Sequence, residues 1–309
     1  MHLCGNPRFH LQKQRMRCML HIVINPTAGK GRAGRLQEQV AKRLAEMNIP
    51  HNFHFTQNRM EATDIVRRLT EDMTGDIDIV AMGGDGTLNE VLNGVVDPEK
   101  VRLGLIPCGS GNDFAAVAGI PEDVNAAIDV IARGTARYTD YMQCGNIRGI
   151  NAIGTGIDVD ILRRRAKAKI LKGSLCYLVS LVASAVSYKG CIFTEETDKG
   201  SVPHHAFIAC AGNGKRMGGG ISLCPDATID DGLLDIVIVD NLKLYQLPGA
   251  FLKLMTGKIL EHPHTVFHRS ARMKVVSSNT MPIQIDGEIY EDMPFNVEIV
   301  HNKLRVYRP

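Results

Sequence analysis

The chain has 309 residues, with 36 Lys+Arg against 33 Asp+Glu and a formal charge of +3; its length suits two domains at the usual ~100–200 residues each. With 44% hydrophobic and 22% charged residues it is an ordinary globular composition, neither disordered nor collagenous. So small a positive excess, with no Trp and 5% aromatics, argues against nucleic acid as a partner and against a stacking platform for single strands.

Residues 1–18 are basic but lack the apolar core of ~7–15 residues that a signal peptide needs. They read as a disordered extension, with Met16 or Met19 as alternative starts. From Leu20 to about Ile131 apolar runs alternate with helical spacing. Leu20–Ile24 reads as a strand, Asn25–Gly31 as a loop and Arg35–Met47 as a helix, with Leu36, Val40, Leu44 and Met47 on one face. A strand at Asn52–Phe55, a helix at Met60–Glu71, a strand at Asp76–Met82, a helix at Leu88–Val96, a strand at Val101–Ile106 and a short helix at Phe114–Ala118 follow. That alternation predicts an α/β domain around a parallel sheet, whose ligands lie at the carboxyl ends of the strands.

After Tyr138 short apolar segments separated by Gly, Asp and Asn predict a mostly antiparallel second domain: Gly149–Ile153, Ala206–Ala211, Leu234–Val239, Arg272–Val276, Pro282–Ile285 and Asn296–Val300. Ile161–Tyr188 and Leu244–Thr256 read as helical interruptions. The division is therefore 1–18, 19–140 and 141–309. The longest apolar run, Leu175–Val186, is about 12 residues, short of the ~20 that span a bilayer. Eight scattered cysteines without a CxxC pair fit buried thiols in a reducing cytosol.

Three loops carry chemistry. Gly83-Gly84-Asp85-Gly86-Thr87-Leu88-Asn89-Glu90 follows a strand, and its glycines admit a ligand to the backbone. Thr87 and Glu90 have capping-box spacing, and a helix N-terminus leaving such a turn suits an anion. Gly109-Ser110-Gly111-Asn112-Asp113-Phe114-Ala115 repeats the arrangement, with Ser110 and Asp113 at cap-like spacing. Asn25-Pro26-Thr27-Ala28-Gly29-Lys30-Gly31-Arg32 supplies cations without Walker spacing. Together at the tips of neighbouring strands they predict a polyphosphate site. In the second domain, Asp286-Gly287 between apolar runs reads as a hairpin turn, and His204-His205 and His262-Pro263-His264 read as solvated loop histidines, since no third metal ligand has matching spacing.

These segments, in this order, resemble the diacylglycerol kinase catalytic family, in particular its bacterial YegS/BmrU-like soluble lipid kinase branch; Asp226–Leu233 and Ile285–Glu288 match as well. The resemblance covers Leu20 to the C-terminus. It implies a Rossmann-like, phosphofructokinase-related first domain, a β-sandwich second domain, ATP in the cleft between them, and a last strand that can return to the first domain. It further implies that Gly83, Gly84, Asp85, Gly86, Thr87, Leu88 and Asn89 wrap the phosphates, that Thr56 and Ser110 contact nucleotide, and that Lys30 and Asp113 lie beside it. Glu288 is the favoured proton acceptor, with Asp286 and Asp85 as alternatives. A structural magnesium ion would sit on Asp231 and the main-chain oxygens of Thr228 and Leu233, completed by water.

Charge arithmetic asks for a second magnesium ion. Two like charges ~4 Å apart cost about 4 kcal/mol at an effective dielectric of ~20, and Asp85, Asp113 and Glu288 beside a triphosphate multiply that. The activity so implied is ATP- and Mg²⁺-dependent phosphorylation of a lipid hydroxyl, diacylglycerol giving phosphatidic acid. NAD kinase, which shares a Gly-Gly-Asp-Gly loop, and a nucleotide-binding membrane regulator without turnover are the alternatives. Arg163 to Lys172 carries six cations and no acid, which suits an anionic leaflet or a solvated helix. The expected setting is cytoplasmic, peripheral to the inner face of the membrane, with homodimerisation left open.

Overall fold

The computed structural model describes residues 19–167, 184 and 187–309. The expected extension at 1–18, all of Leu175–Val186 except Ser184, and the end of the basic stretch after Lys167 lie outside the described residues. The first lobe runs β1 (Leu20–Ile24), α1 (Ala28–Glu46), β2 (His51–Phe55), α2 (Glu61–Thr70), β3 (Ile77–Gly83), α3 (Asp85–Gly94), β4 (Val101–Pro107), α4 (Asp113–Val117) and α5 (Val124–Arg133). Then come β5 (Ala136–Cys144), β6 (Ile147–Gly149), β7 (Ala152–Gly156), α6 (Ile157–Lys167), β8 (Cys191–Thr197) and β9 (Gly200–Gly212). The chain finishes with β10 (Leu234–Asp240), α7 (Leu247–Met255), β11 (Thr265–Ser270), β12 (Arg272–Val276), β13 (Ile283–Ile285), β14 (Glu288–Tyr290) and β15 (Asn296–Tyr307).

β2, β1, β3 and β4 are parallel and adjacent in that order. Successive residues of β3 serve opposite faces. Ile79 and Ala81 pack with Leu88 and Leu92 of α3, while Val80 and Met82 pack with Val40 and Leu44 of α1 and Ile128 of α5. A strand covered on both sides needs an unbroken apolar run, which is why Ile79–Met82 contains no polar residue. Asp78, a buried carboxylate of β3, is held by two bonds from Arg102 (2.5 and 3.0 Å) and one from the Tyr307 hydroxyl (2.7 Å). The chain leaves β1 in one direction towards β2 and returns past it to β3, so the crevice of the sheet opens at the carboxyl ends of β1 and β3.

The second lobe is an antiparallel sandwich built on the neighbours β13–β7–β9–β8–β12 and β9–β10–β11. Its inner layer holds Met142, Ile153, Phe193, Ala209, Ile236, Met273, Ile285 and Val297. β15 belongs to both lobes: Arg272–Lys274 of β12 pair with its first residues, and Arg305 and Val306 pair in parallel with Arg102 and Leu103 of β4. β5 runs antiparallel beside β15 from Cys144 to Ala136. Two continuous strands thus tie the lobes together. The stretch expected as one strand at Gly149–Ile153 is two, β6 and β7, because the amides of Ile150, Asn151 and Ala152 donate to Asp286 instead of to a neighbouring strand. No helix among the described residues is long and apolar enough to cross a membrane. The five cysteines described as free are Cys108, Cys144, Cys191, Cys210 and Cys224.

Candidate active site

β3 ends at Gly83 and α3 starts at Asp85, so the turn between them is the single residue Gly84. The capping box expected at Thr87 and Glu90 is not formed, because α3 begins two residues before Thr87. Thr87 instead packs on Gly83, where an added Cβ would lie 2.3 Å from its hydroxyl oxygen. The β4 turn lies directly against the β3 turn. Cys108 N donates to Gly83 O at 2.7 Å, and a Cβ on Gly109 would lie 2.5 Å from the Cα of Gly84. Only glycine allows so close an approach of two backbones. Gly86, by contrast, is exposed, and nothing lies within 4 Å of the position its Cβ would take. The first turn of α3 therefore opens onto free space.

Ser110 is exposed at the tip of the second turn and does not cap α4. Asn112 closes that turn, accepting from Gly109 N at 3.0 Å and donating to Gly109 O at 3.1 Å. Asp85 Oδ1 accepts from Phe114 N at 3.3 Å. Asp113 is 5% exposed; its Oδ2 accepts from Gly219 N at 2.8 Å, and its Oδ1 is buried without a partner. Burial pushes the Asp113 carboxyl up, and the Asp85 charge adds to this against the Gly219 and Gly220 amides and Arg216. Gly219 belongs to a loop of the second lobe, Asn213–Ile221, pinned by the reciprocal bonds of Met217 and Ile221 at 2.9 and 3.0 Å. This loop lies outside the motifs read from the sequence, although Lys215-Arg216 followed by Gly218-Gly219-Gly220 is a signal for it.

The second wall is the β13–β14 hairpin. Asp286 (φ 48°) and Gly287 (φ 92°) form its two-residue turn, the positive pair that hairpins favour. The turn aims the Asp286 side chain inward. Its Oδ2 accepts from Ile150 N (2.7 Å) and Asn89 Nδ2 (3.0 Å), and its Oδ1 accepts from Asn151 N (2.9 Å) and Ala152 N (3.1 Å). Burial pushes the carboxyl up against the pull of these donors. With both oxygens engaged, Asp286 clamps α3 to β7. Glu288, two residues on, is half-exposed and accepts from Arg59 of the β2–α2 loop. Nothing in the sequence pointed to Arg59.

Thr56 is buried just after β2, its amide donating to Ile24 O at 2.9 Å. Leu88 is buried beneath the turn. Lys30 is exposed in a left-handed turn, φ 57°. Arg32 donates to Glu122 O at 3.2 Å and so faces α5. In the expected metal loop, Asp231 accepts from Thr228 Oγ1 and Leu233 N, both at 3.0 Å, which closes the loop on itself. Asp140, fully buried, supports it by accepting from Gly232 N at 2.7 Å and pairing with His301 at 2.8 Å. The reading of His204 and His262 as solvated is corrected: each is 8% exposed, and His204 lies between Glu195 and Asp240 at 3.4 Å from each. Among the described residues no three His, Cys, Asp or Glu side chains gather to hold a metal ion.

Residues 19–144 match the diacylglycerol kinase catalytic domain, and 151–308 match the YegS C-terminal NAD kinase beta sandwich-like domain. A diacylglycerol kinase of Staphylococcus carnosus is 29% identical over 306 residues, covering 95% of this chain and 96% of its own. One of Staphylococcus saprophyticus is 29% identical over 296 residues, with the same coverage of 95% and 96%. A crystal structure of a diacylglycerol kinase from Bacillus anthracis superposes with a TM-score of 0.78 at 22% identity, over 96% of this chain and 99% of that one. An NAD kinase from Archaeoglobus fulgidus in complex with ATP gives 0.51 at 12% identity, over 94% and 93%. Fold and cleft define a two-lobed protein of the architecture those kinases share. The chain belongs to the diacylglycerol kinase catalytic-domain family, in its YegS-like branch.

Proposed function

We propose that the protein is an ATP- and Mg²⁺-dependent kinase that phosphorylates the hydroxyl of a membrane lipid, diacylglycerol giving phosphatidic acid. The observation that carries the reading is a convergence: the β3 and β4 turns touch at Gly84 and Gly109, α3 opens its first turn at Gly86 onto free space, and the Asp286–Glu288 hairpin of the other lobe is fastened to the same helix through Asn89. The staphylococcal relatives named diacylglycerol kinases, matched over nearly their whole length, support the choice of acceptor.

Phosphoryl transfer is mainly positioning and electrostatics. The amides of the Gly83–Gly86 turn and the α3 N-terminus bind the phosphates, and Thr56 and Ser110 flank the nucleotide, with Lys30 at the rim. The donor set fits a hard cation, because Asp113 keeps a buried oxygen without a partner and Asp85 adds a second carboxylate beside it. Asp85 and Asp113 would hold magnesium, which supplies the positive charge that lets carboxylates and phosphates share the cleft. Glu288 accepts the proton of the lipid hydroxyl while that oxygen bonds to the γ-phosphorus; the bond to the β–γ bridging oxygen breaks and ADP leaves. Arg59 holds Glu288 at the mouth of the cleft, and Asp286 fixes the hairpin. A structural ion on Asp231, Thr228 and Leu233 belongs to the same proposal, since the Asp231 carboxylate retains free lone pairs. Such an acceptor sets the enzyme at the inner face of the cytoplasmic membrane.

Labelled ATP with a panel of lipid hydroxyls, and with NAD beside them, tests the proposal. Transfer to diacylglycerol supports it. Transfer to NAD alone, or ADP binding without transfer to any acceptor, overturns it in favour of an NAD kinase or a regulator without turnover.

A further inference from the structure

We propose that α7 and the turn before it are the surface on which the protein rests against an anionic lipid bilayer. α7 follows a 3₁₀ turn at Leu244–Gln246, and its one buried residue is Ala250, 7% exposed. Leu247, Phe251 and Leu254 form its inner side, packed on the cluster that includes Ile157 and Ile161 of α6 and Val237 and Val239 of β10. The outer side is apolar as well. Leu244 is 64% exposed, Tyr245 75%, Leu252 65% and Met255 54%. Scattered exposed apolar residues are ordinary on a protein surface; four large ones within one turn and one helix mark an interaction site.

The charge of the segment selects the partner. From Asn241 to Leu260 the chain carries Lys243, Lys253 and Lys258 and no carboxylate; Glu261, just beyond, pairs with Lys253 at 3.1 Å. A helix that presents large apolar groups outward with lysines around them suits a membrane interface, where buried apolar area and attraction to anionic lipid add and each lysine near the surface contributes about 1 kcal/mol. A second copy seated about a twofold axis would bring the same lysines face to face. The position is also apt. The hydrophobic cluster on which α7 packs also takes Met217, which pins the loop whose Gly219 amide reaches Asp113. A bilayer against α7 would therefore rest on the same hydrophobic cluster that supports the loop reaching the cleft. The inference rests on the lipid-kinase reading only for the choice of a bilayer as partner.

Co-sedimentation with vesicles of phosphatidylcholine, with and without phosphatidylglycerol, tests this without turnover. The intact protein is expected to bind the anionic vesicles. Tyr245→Asp combined with Leu252→Asp should lower that binding at least tenfold, leaving the melting temperature and the affinity for ADP with magnesium unchanged. Lys243→Glu with Lys258→Glu, which spares every apolar contact, should weaken it severalfold. Absence of wild-type binding, or wild-type binding by the apolar double variant, overturns the proposal. So does a wild-type dimer on gel filtration that this variant dissociates while vesicle binding persists, since the face then serves a second copy. Phosphate transfer to a water-soluble short-chain diacylglycerol is measured separately: its absence in the wild type sinks the kinase reading and leaves the vesicle result standing, and the converse also holds.

Discussion

Replacing Asp286 by Asn separates a clamp from a catalyst. Each oxygen of Asp286 accepts two hydrogen bonds, Oδ1 from Asn151 N and Ala152 N and Oδ2 from Ile150 N and Asn89 Nδ2. Asn keeps one oxygen and puts an NH₂ where the other was, so two donors face a donor. A hydrogen bond to a charged group contributes ~1.5–3 kcal/mol and a buried donor left unpaired costs ~1–3 kcal/mol, which places the loss at about 3–6 kcal/mol. The lower end is expected, because a neutral amide also escapes the burial penalty that pushes the carboxyl up. Out of a typical ~5–15 kcal/mol of total stability, this is large. Urea denaturation should show a marked fall in midpoint, while kcat, measured where the variant is still folded, should fall less than about tenfold. An unchanged midpoint with kcat lost by ~100-fold or more would refute the reasoning and make Asp286 the proton acceptor.

Three further outcomes are expected. Glu288→Gln should leave the unfolding free energy from urea denaturation within ~0.5 kcal/mol, as substitution at a surface ion pair does, and lower kcat at least ~100-fold with little change in ATP affinity; a wild-type kcat would remove Glu288 from the chemistry. Gly86→Ala, with open space around its Cβ, should keep the melting temperature and weaken ADP binding, measured by calorimetry. Gly109→Ala, whose Cβ would lie 2.5 Å from Gly84 Cα, should lose both; a Gly86→Ala protein with unchanged ADP affinity would move the phosphates away from α3. Burial raises the Asp158 carboxyl to about 7. Its folded state therefore holds a proton that the unfolded chain releases, and the stability this confers is present below the ordinary carboxylate range and lost as pH rises through about 7. Asp158→Asn should flatten that slope in urea midpoints taken at about pH 5 and about pH 8; an unaltered slope would show that Asp158 is not its source.

The parallel sheet and its glycine turns were legible because their signals are local. The Ile79–Met82 run and the Gly83–Gly86 turn stand together in the chain, and burial on both faces leaves no other pattern for β3. β8 and β11 were missed for a physical reason. Their inward positions include Glu195 and His268, which pair at 3.0 Å, so the apolar alternation that announces a strand fails in both. Burial raises the Glu195 carboxyl, but pairing with His204 and His268 outweighs it and brings it down to about 2. The hairpin at Asp286-Gly287 was readable as a turn. That its carboxylate would reach Ile150, Asn151, Ala152 and Asn89 was not, since the first three come beside it only through the β7–β13 pairing and Asn89 belongs to the other lobe. Arg59 and the Asn213–Ile221 loop escaped for the same reason: each matters through a residue of the other lobe.

The most direct measurement is a crystal structure with magnesium and a non-hydrolysable ATP analogue. The phosphates are expected against the Gly83–Gly86 and Gly109–Gly111 turns, with the metal beside Asp85 and Asp113 and the γ-phosphate facing Glu288. Phosphates bound elsewhere, with both turns empty, or a γ-phosphate directed away from the β13–β14 hairpin, would contradict the assignment of this cleft as the site of phosphoryl transfer.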